Sequence, residues 1–277
     1  MSKSKFENAY KNGIANEYLT VEMLNEDLKA MQRLAQTNIR SLKAERIADK
    51  KFDSEIVGTK ILTKADIGIY NTRNGELLCK ISLKKDLTGY AHNSNVENFI
   101  KSFKDKYGKN SVPNSVEMAL HLLYGTSTRY TGLVNFFATT PDEIRKNRLT
   151  TENIARLDAS ILEDLLNWCD VNAKRIAYIV MILGNFETDI YSPDVILCLD
   201  AKNSNIGHFV RVNDFKKMIN GIRRGYTSAN RTGKQINFIW GDLSEHNGIF
   251  SHFNFKRLEK FSTSKIKMQK LDFAIVA

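Results

Sequence analysis

Three side chains in one short stretch could do chemistry together. Asp66 lies in an apolar-alternating run, Lys64-Ala65-Asp66-Ile67-Gly68-Ile69-Tyr70, and Ser82 and Lys84 lie in a second, Cys79-Lys80-Ile81-Ser82-Leu83-Lys84. Between the runs stands Asn74-Gly75, a dipeptide favoured in hairpin turns because both residues tolerate positive φ. Strand side chains alternate between faces. Ala65, Ile67 and Ile69 therefore share one face of the first strand, and Asp66, Gly68 and Tyr70 the other. In the second strand Ile81 and Leu83 oppose Lys80, Ser82 and Lys84. A hairpin buried on its isoleucine side presents Asp66, Ser82 and Lys84 together. A carboxylate and a lysine on adjacent strands can hold a divalent cation beside a phosphate. Magnesium takes hard oxygen ligands, commonly one or two carboxylates plus water and phosphate. A nearby lysine orients or deprotonates a water and stabilises developing negative charge. The chemistry these residues point to is phosphodiester hydrolysis, with the metal relieving charge at phosphorus.

The elements that must position this hairpin follow from periodicity. Apolar positions Ile14, Leu19, Met23, Leu24, Leu28, Met31 and Leu34 keep three- and four-residue spacing and predict one long helix over residues 6–36. Glu17 follows Gly13 by four residues and shares its face. Residues 37–54 are polar and of mixed sign, which predicts a loop or short helix, and residues 55–62 a first strand leading into the hairpin. After a loop over 86–94, Asn93 or Ser94 is placed to cap a helix with Glu97 in its first turn. Its buried stripe is Val96, Phe99, Ile100 and Phe103. Residues 110–171 read as helical throughout. Thr140-Pro141-Asp142-Glu143 combines a cap, a first-turn proline and a capping-box glutamate. From Ala173 onward the α/β pattern returns, with apolar runs at Ile176–Leu183 and Val195–Leu199, a partly helical stretch at 209–222 and strands at 235–241 and 271–277. The whole reads as one α/β domain over 1–277. Its core is about 6–107 plus 172–277, and a helical insertion occupies about 110–171.

The 41 Lys and Arg outweigh 31 Asp and Glu, for a formal charge of +10, which suits a polyanionic partner. The basic loop Arg223-Arg224-Gly225-Tyr226 … Arg231-Thr232-Gly233-Lys234 has the charge and backbone donors to follow a phosphate backbone. Lys80, Lys85 and His92, beside the lysine strand, are further candidate DNA contacts. Cys79, Cys169 and Cys198 are far apart and form no CxxC pair, so neither a zinc ribbon nor a disulfide framework is indicated. A reducing, cytoplasmic setting fits. The N-terminus lacks the apolar core of a signal peptide, and no run approaches the length of a membrane span.

The Asp66 and Ser82-x-Lys84 pair resembles the PD-(D/E)xK nuclease superfamily, in which an acid on an N-terminal helix precedes an aspartate on the second strand and (D/E)xK on the third, with a helix behind. The resemblance implies an α/β fold with a restriction-endonuclease-like central mixed sheet flanked by helices. It implies a Mg2+-dependent DNA endonuclease of restriction or phage type, with Mn2+ able to substitute, acting on double-stranded DNA and commonly as a homodimer. It assigns Glu17 as the helix acid, Asp66 as the strand acid and Lys84 as the catalytic lysine. The departure is Ser82, where the family carries Asp or Glu. Some members place that carboxylate on the following helix, a position Glu97 matches. Glu17, Asp66 and Glu97 are then the metal-side acids and Ser82 a motif remnant. The alternative, which Ser82 keeps open, is a DNA-binding or DNA-end-binding protein on a nuclease-derived fold that does not cut.

Other signals in the sequence are weaker. Gly68-Ile69-Tyr70 resembles the opening of GIY-YIG nucleases, but the second half of that motif is absent near Leu78-Cys79-Lys80. Pro193-Asp194 … Asp200-Ala201-Lys202 spells PD…DxK, yet only five apolar residues separate the acids, which predicts one strand with polar ends. His246-Asn247 and His252 lack the second cluster of an HNH site. No P-loop or Gly-x-Ser-x-Gly elbow occurs.

Overall fold

The structure, a computed structural model, describes residues 13–54, 58–92, 95–125, 127–184, 191–200, 202–203, 205–223, 225, 227–229, 235–246 and 249–274. The chain opens with two helices, α1 (Gly13–Glu26) and α2 (Leu28–Ala35), where the apolar spacing predicts one. Asp27 makes the break: its carboxylate accepts the Ala30 N–H at 2.9 Å and caps α2. This is the local side-chain bonding by which aspartate competes with a continuous helix. Next come β1 (Leu42–Arg46), β2 (Lys51–Ser54), β3 (Thr59–Leu62), β4 (Ile67–Asn71), β5 (Leu77–Lys84), β6 (Tyr90–His92) and α3 (Val96–Tyr107). The helical stretch holds α4 (Asn114–Tyr124), α5 (Thr131–Phe137), α6 (Pro141–Arg145), α7 (Thr151–Leu157) and α8 (Ala159–Tyr178), and α8 runs into a π-helical turn over Ile179–Leu183. The remainder is β7 (Val195–Leu199), β8 (Ile206–Arg211), α9 (Val212–Asn220), β9 (Ser228–Ala229), β10 (Ile236–Phe238), β11 (Gly241–His246), β12 (Ile249–Phe253), α10 (Phe255–Phe261) and β13 (Gln269–Asp272).

A mixed sheet of six strands, in the order β1-β4-β5-β7-β8-β13, is flanked by helices. Strand β7 runs parallel to β5, and the other neighbours are antiparallel. Parallel pairing needs a crossover, and α3 to α8 supply it. The alternation in β7 divides the interior into two cores. Val195, Leu197 and Leu199 join Ile67, Ile69 and Ile81 against Met23, Leu24, Met31 and Leu34 of α1 and α2. Ile196 and Cys198 face the other way, into the core built by α3, α4 and α8. A second, antiparallel sheet of five strands, β6-β12-β11-β10-β9, packs into that larger core, and β2 and β3 pair only with each other. No helix among the described residues is long and apolar enough to cross a membrane.

Several sequence expectations need correction. Residues 37–54 hold β1 and β2 rather than a loop or short helix. In Leu-Lys-Ala-Glu-Arg only Ala44 is buried, because β1 is a sheet edge and needs little apolar surface. Strand β3 joins β2 instead of leading the central sheet, and residues 55–57 lie outside the described set. The stretch 110–171, read as helical throughout, is divided into separate helices, and Asp158 breaks it before α8, which it caps through the Ser160 N–H at 2.9 Å. The apolar run Ile176–Leu183, which fits a buried strand or a buried helix alike, is helical. The hairpin at Asn74-Gly75 forms, with Gly75 at φ 72° and its N–H on the Asn71 carbonyl at 2.9 Å. The capping box at Thr140 and Glu143 forms with both of its hydrogen bonds.

Candidate active site

Ser82 stands opposite Asp66 across the hairpin, one step beyond the Ile67–Ile81 pair. The Asp66 N–H donates to the Ile81 carbonyl at 2.8 Å. Its carboxylate oxygen Oδ2 accepts the Leu83 N–H at 2.6 Å and the Ser82 hydroxyl at 3.5 Å. Lys84 donates from Nζ to Ser82 Oγ at 2.8 Å. A continuous hydrogen-bonded chain thus runs Lys84–Ser82–Asp66, on the face the alternation assigns. Ser82 is buried, with 1% of its surface accessible, whereas Asp66 and Lys84 remain partly exposed. The serine is therefore a connector, and the two charged groups are the ones a substrate can meet.

Burial raises the Asp66 pKa, opposed first by the Lys84 charge, then by the Leu83 N–H, the Lys64 charge and the Ser82 hydroxyl. Lys64 is a member of the cluster that alternation does not single out, although its two-residue spacing from Asp66 is a signal for the same side. Its Nζ donates to the Val180 carbonyl at 2.7 Å, inside the π-helical turn. Burial, then the neighbouring Lys84 charge, holds its pKa well below the usual lysine range, and Asp66 opposes the shift. The turn closes through the Gly184 N–H on the Ile179 carbonyl at 2.8 Å. Gly184 has φ 65°, and a Cβ there would lie 2.6 Å from Lys64 Cε. The glycine leaves room for the lysine stem, so the irregular helix end and the pre-strand segment are fitted to each other. A π turn of this kind is often found at a functional site.

Glu17, on α1, reaches the same neighbourhood from the sheet edge. Its Oε2 accepts from Arg46 Nε at 2.5 Å, and Arg46 also pairs with Asp49. Burial raises the Glu17 pKa; the Arg46 hydrogen bond opposes this, and the Asp66 charge adds to it. Asp66 and Glu17 are thus close enough to feel one another. Glu97 is exposed in the first turn of α3, where its charge acts on His121 of α4. Among the described residues no group of three or more His, Cys, Asp or Glu is placed to hold a metal ion. The structure therefore gathers Asp66, Ser82, Lys84 and Lys64 with Glu17 alongside, and does not complete a three-acid cluster with Glu97. Magnesium is commonly held by one or two carboxylates with water and substrate phosphate. Asp66 offers one such carboxylate, and Glu17, the second candidate, is ion-paired with Arg46.

The other candidates are dispersed. Lys80 lies on β5, partly exposed on the Ser82 side, and Lys85 is exposed just past its end. His92 falls on β6 opposite Ser251. Arg223 is exposed; Arg224, Arg231 and Lys234 lie outside the described residues. Asp194 and Asp200 bracket β7 as expected of one strand. Asp194 accepts the Lys80 N–H at 2.8 Å, and Asp200 accepts the Lys202 N–H at 2.8 Å. A cleft of about 580 Å3 lined by Cys79, Asp194 and Arg211 opens near the start of β5, about 16 Å of strand from Lys84 at ~3.3 Å per residue. All three cysteines are buried and free, and burial pushes the Cys79 thiol to about 12 and the other two up as well. None supplies a thiolate nucleophile at neutral pH. His252 is held between the Asp242 carboxylate at 3.2 Å and the Thr88 carbonyl. The sequence matches no protein-family model and no curated protein.

Proposed function

We propose that the protein is a Mg2+-dependent DNA endonuclease on a restriction-endonuclease-like core. The observation that carries the reading is the Lys84–Ser82–Asp66 chain, set on neighbouring strands with Glu17 on the helix before them. In sheet order, β1, β4 and β5 come first, Asp66 immediately precedes the second of these and Lys84 ends the third, and α3 follows. That is the order of helix acid, strand aspartate, strand lysine and helix in the PD-(D/E)xK pattern. Asp66 and Glu17 are the residues that would hold magnesium, or manganese in its place. The metal's contribution, when bound, is charge relief at the phosphate and a water of lowered pKa. The Leu83 N–H fixes the orientation of the Asp66 carboxylate. Ser82 positions the Lys84 ammonium, which stabilises the charge developing on the attacked phosphate. The substrate is double-stranded DNA in a cytoplasmic setting, and a homodimer would cut both strands.

One observation favours the second reading, a DNA-binding or end-binding protein that no longer cuts. Ser82 occupies the usual acid position and is buried as a connector, with no three-acid cluster among the described residues. Supercoiled plasmid with Mg2+ separates the two. Purified wild-type protein is expected to nick or linearise it, and Lys84→Met to leave it intact while melting like wild type. A fully active Lys84→Met protein would sink the assignment, and wild-type binding without nicking would favour the second reading.

A further inference from the structure

Between α3, α8 and α9 lies a hollow of about 340 Å3, whose lining includes no member of the Asp66 cluster. Its walls carry Lys106, Lys174, Arg175 and Lys216, together with Tyr107 and Tyr178, and none of the described lining residues is acidic. The four cations come from three helices, so helix packing rather than one sequence run brings them together. Lys106 and Lys216, from opposite walls, each place Nζ 5.7 Å from the centroid of the Tyr178 ring. Arg175 lies 4.9 Å over the Tyr107 ring. Lys174 donates to the Asn220 carbonyl at 3.0 Å, tying α8 to the end of α9. The Tyr107 hydroxyl, with an ordinary pKa of about 10, is a donor at neutral pH.

We propose that this hollow is a second phosphate-binding site, and that its occupant is the phosphodiester backbone of a nucleic-acid strand. Ring faces hold ammonium and guanidinium groups in place through cation–π attraction. Three ammoniums, a guanidinium fork and tyrosine hydroxyls together suit an anion with several oxygens, and phosphate accepts all of these donors. The cations already lie over both rings, so the site is built for charge and not for stacking a base. That favours a repeating backbone over a free nucleotide. Tyr178 stands two residues before Val180, whose carbonyl holds Lys64, so one helix end serves both sites. The inference rests on the nucleic-acid part of the functional reading and not on cleavage.

The test is binding of a fluorescein-labelled DNA duplex in EDTA, followed by anisotropy across a salt series. Lys106→Gln/Lys216→Gln is compared with wild type and with Lys256→Gln/Lys260→Gln, which removes the same charge from exposed positions on α10. Each phosphate contact contributes roughly 0.9 to the slope of log affinity against log salt. The Lys106/Lys216 pair is expected to flatten the slope by about two and weaken binding about tenfold or more, with a smaller loss in the α10 pair. Equal losses in the two pairs, or wild-type affinity and slope in the first, would overturn the site. Pyrophosphate bound by wild type and lost in the Lys106/Lys216 pair, with duplex binding unchanged, would overturn the strand as occupant. Absence of duplex binding by wild type overturns both this inference and the DNA reading. Binding without nicking overturns the endonuclease alone.

Discussion

Asp66→Asn removes one charge and almost no volume. The amide oxygen can still accept the Leu83 N–H that now reaches Asp66 Oδ2 at 2.6 Å. What is lost is attraction to Lys84, which Ser82 links to the carboxylate through bonds of 2.8 and 3.5 Å. At a separation of at most roughly 6 Å and an effective dielectric near 20, that attraction is about 3 kcal/mol. Against it stands the desolvation that raises the Asp66 pKa. A carboxyl whose folded pKa is raised binds more protons folded than unfolded. Its linkage contribution is therefore lost as pH rises from the ordinary carboxyl value of 3.8 through the folded pKa, and ionised Asp66 lowers stability at pH 7. That raised pKa is already the net of desolvation over the Lys84 attraction, so Asp66→Asn is expected to melt at or slightly above wild type, by up to about 4 °C, or about 1 kcal/mol for a chain of this size. Activity has no such offset. Losing a metal-side carboxylate should remove several kcal/mol of transition-state stabilisation, about 10²-fold or more in rate. The assay is single-turnover plasmid cleavage in Mg2+ beside a thermal melt. A variant that melts normally and cuts at more than about a tenth of the wild-type rate would refute the role given to Asp66.

Glu143 is fully buried, and its carboxylate accepts from Thr139, Thr140, Thr150 and Asn153; these bonds outweigh desolvation and lower its pKa to about 2. A depressed folded pKa gives stability that is present above the unfolded value of 4.5 and lost as pH falls toward about 2. Glu143→Gln should therefore lower stability by about 2–3 kcal/mol at pH 7, and its denaturation midpoint should vary less than wild type between those two pH values. Glu97→Ala should keep its cleavage rate within about threefold of wild type, since Glu97 is exposed beside His121; a loss as deep as that of Asp66→Asn would return Glu97 to the metal side. Gly184→Ala, at φ 65° and against the Lys64 stem, should destabilise by about 1–3 kcal/mol and slow cleavage; an unaltered rate and melt would show that the fit between Gly184 and Lys64 is not needed.

The parts of the fold that local chemistry decides were readable from sequence. Asn74-Gly75 specifies a turn, isoleucine alternation specifies which face of the hairpin is buried, and Thr140 with Glu143 specifies a helix start. The structure bears out all three, with Asn74-Gly75 set in a loop over 72–76 that the Asn71 N–H closes on the Glu76 carbonyl at 2.9 Å. Features decided by tertiary context were hidden. Strand β1 shows no alternation because a sheet edge buries only Ala44. The breaks at Asp27 and Asp158 sit inside otherwise helical patterns, where one side-chain cap outcompetes continuity. Strand β6 pairs with β12 some 160 residues later, and no local signal encodes a partner so distant. In the candidate site, the Asp66–Ser82–Lys84 grouping follows from period-two geometry alone. Lys64 was obscured because its partner, the Val180 carbonyl, comes from a π turn at the end of a helix 116 residues away. The placement of Glu97 depends on how α3 rotates against α4, which its apolar stripe constrains only to within one face.

The most direct measurement is a time course of supercoiled plasmid with purified wild-type protein, in Mg2+ and in EDTA. Nicked or linear product in Mg2+, none in EDTA and none with Lys84→Met in Mg2+ is the expected result. Plasmid that stays supercoiled in both Mg2+ and Mn2+, at protein concentrations that saturate binding, would contradict it.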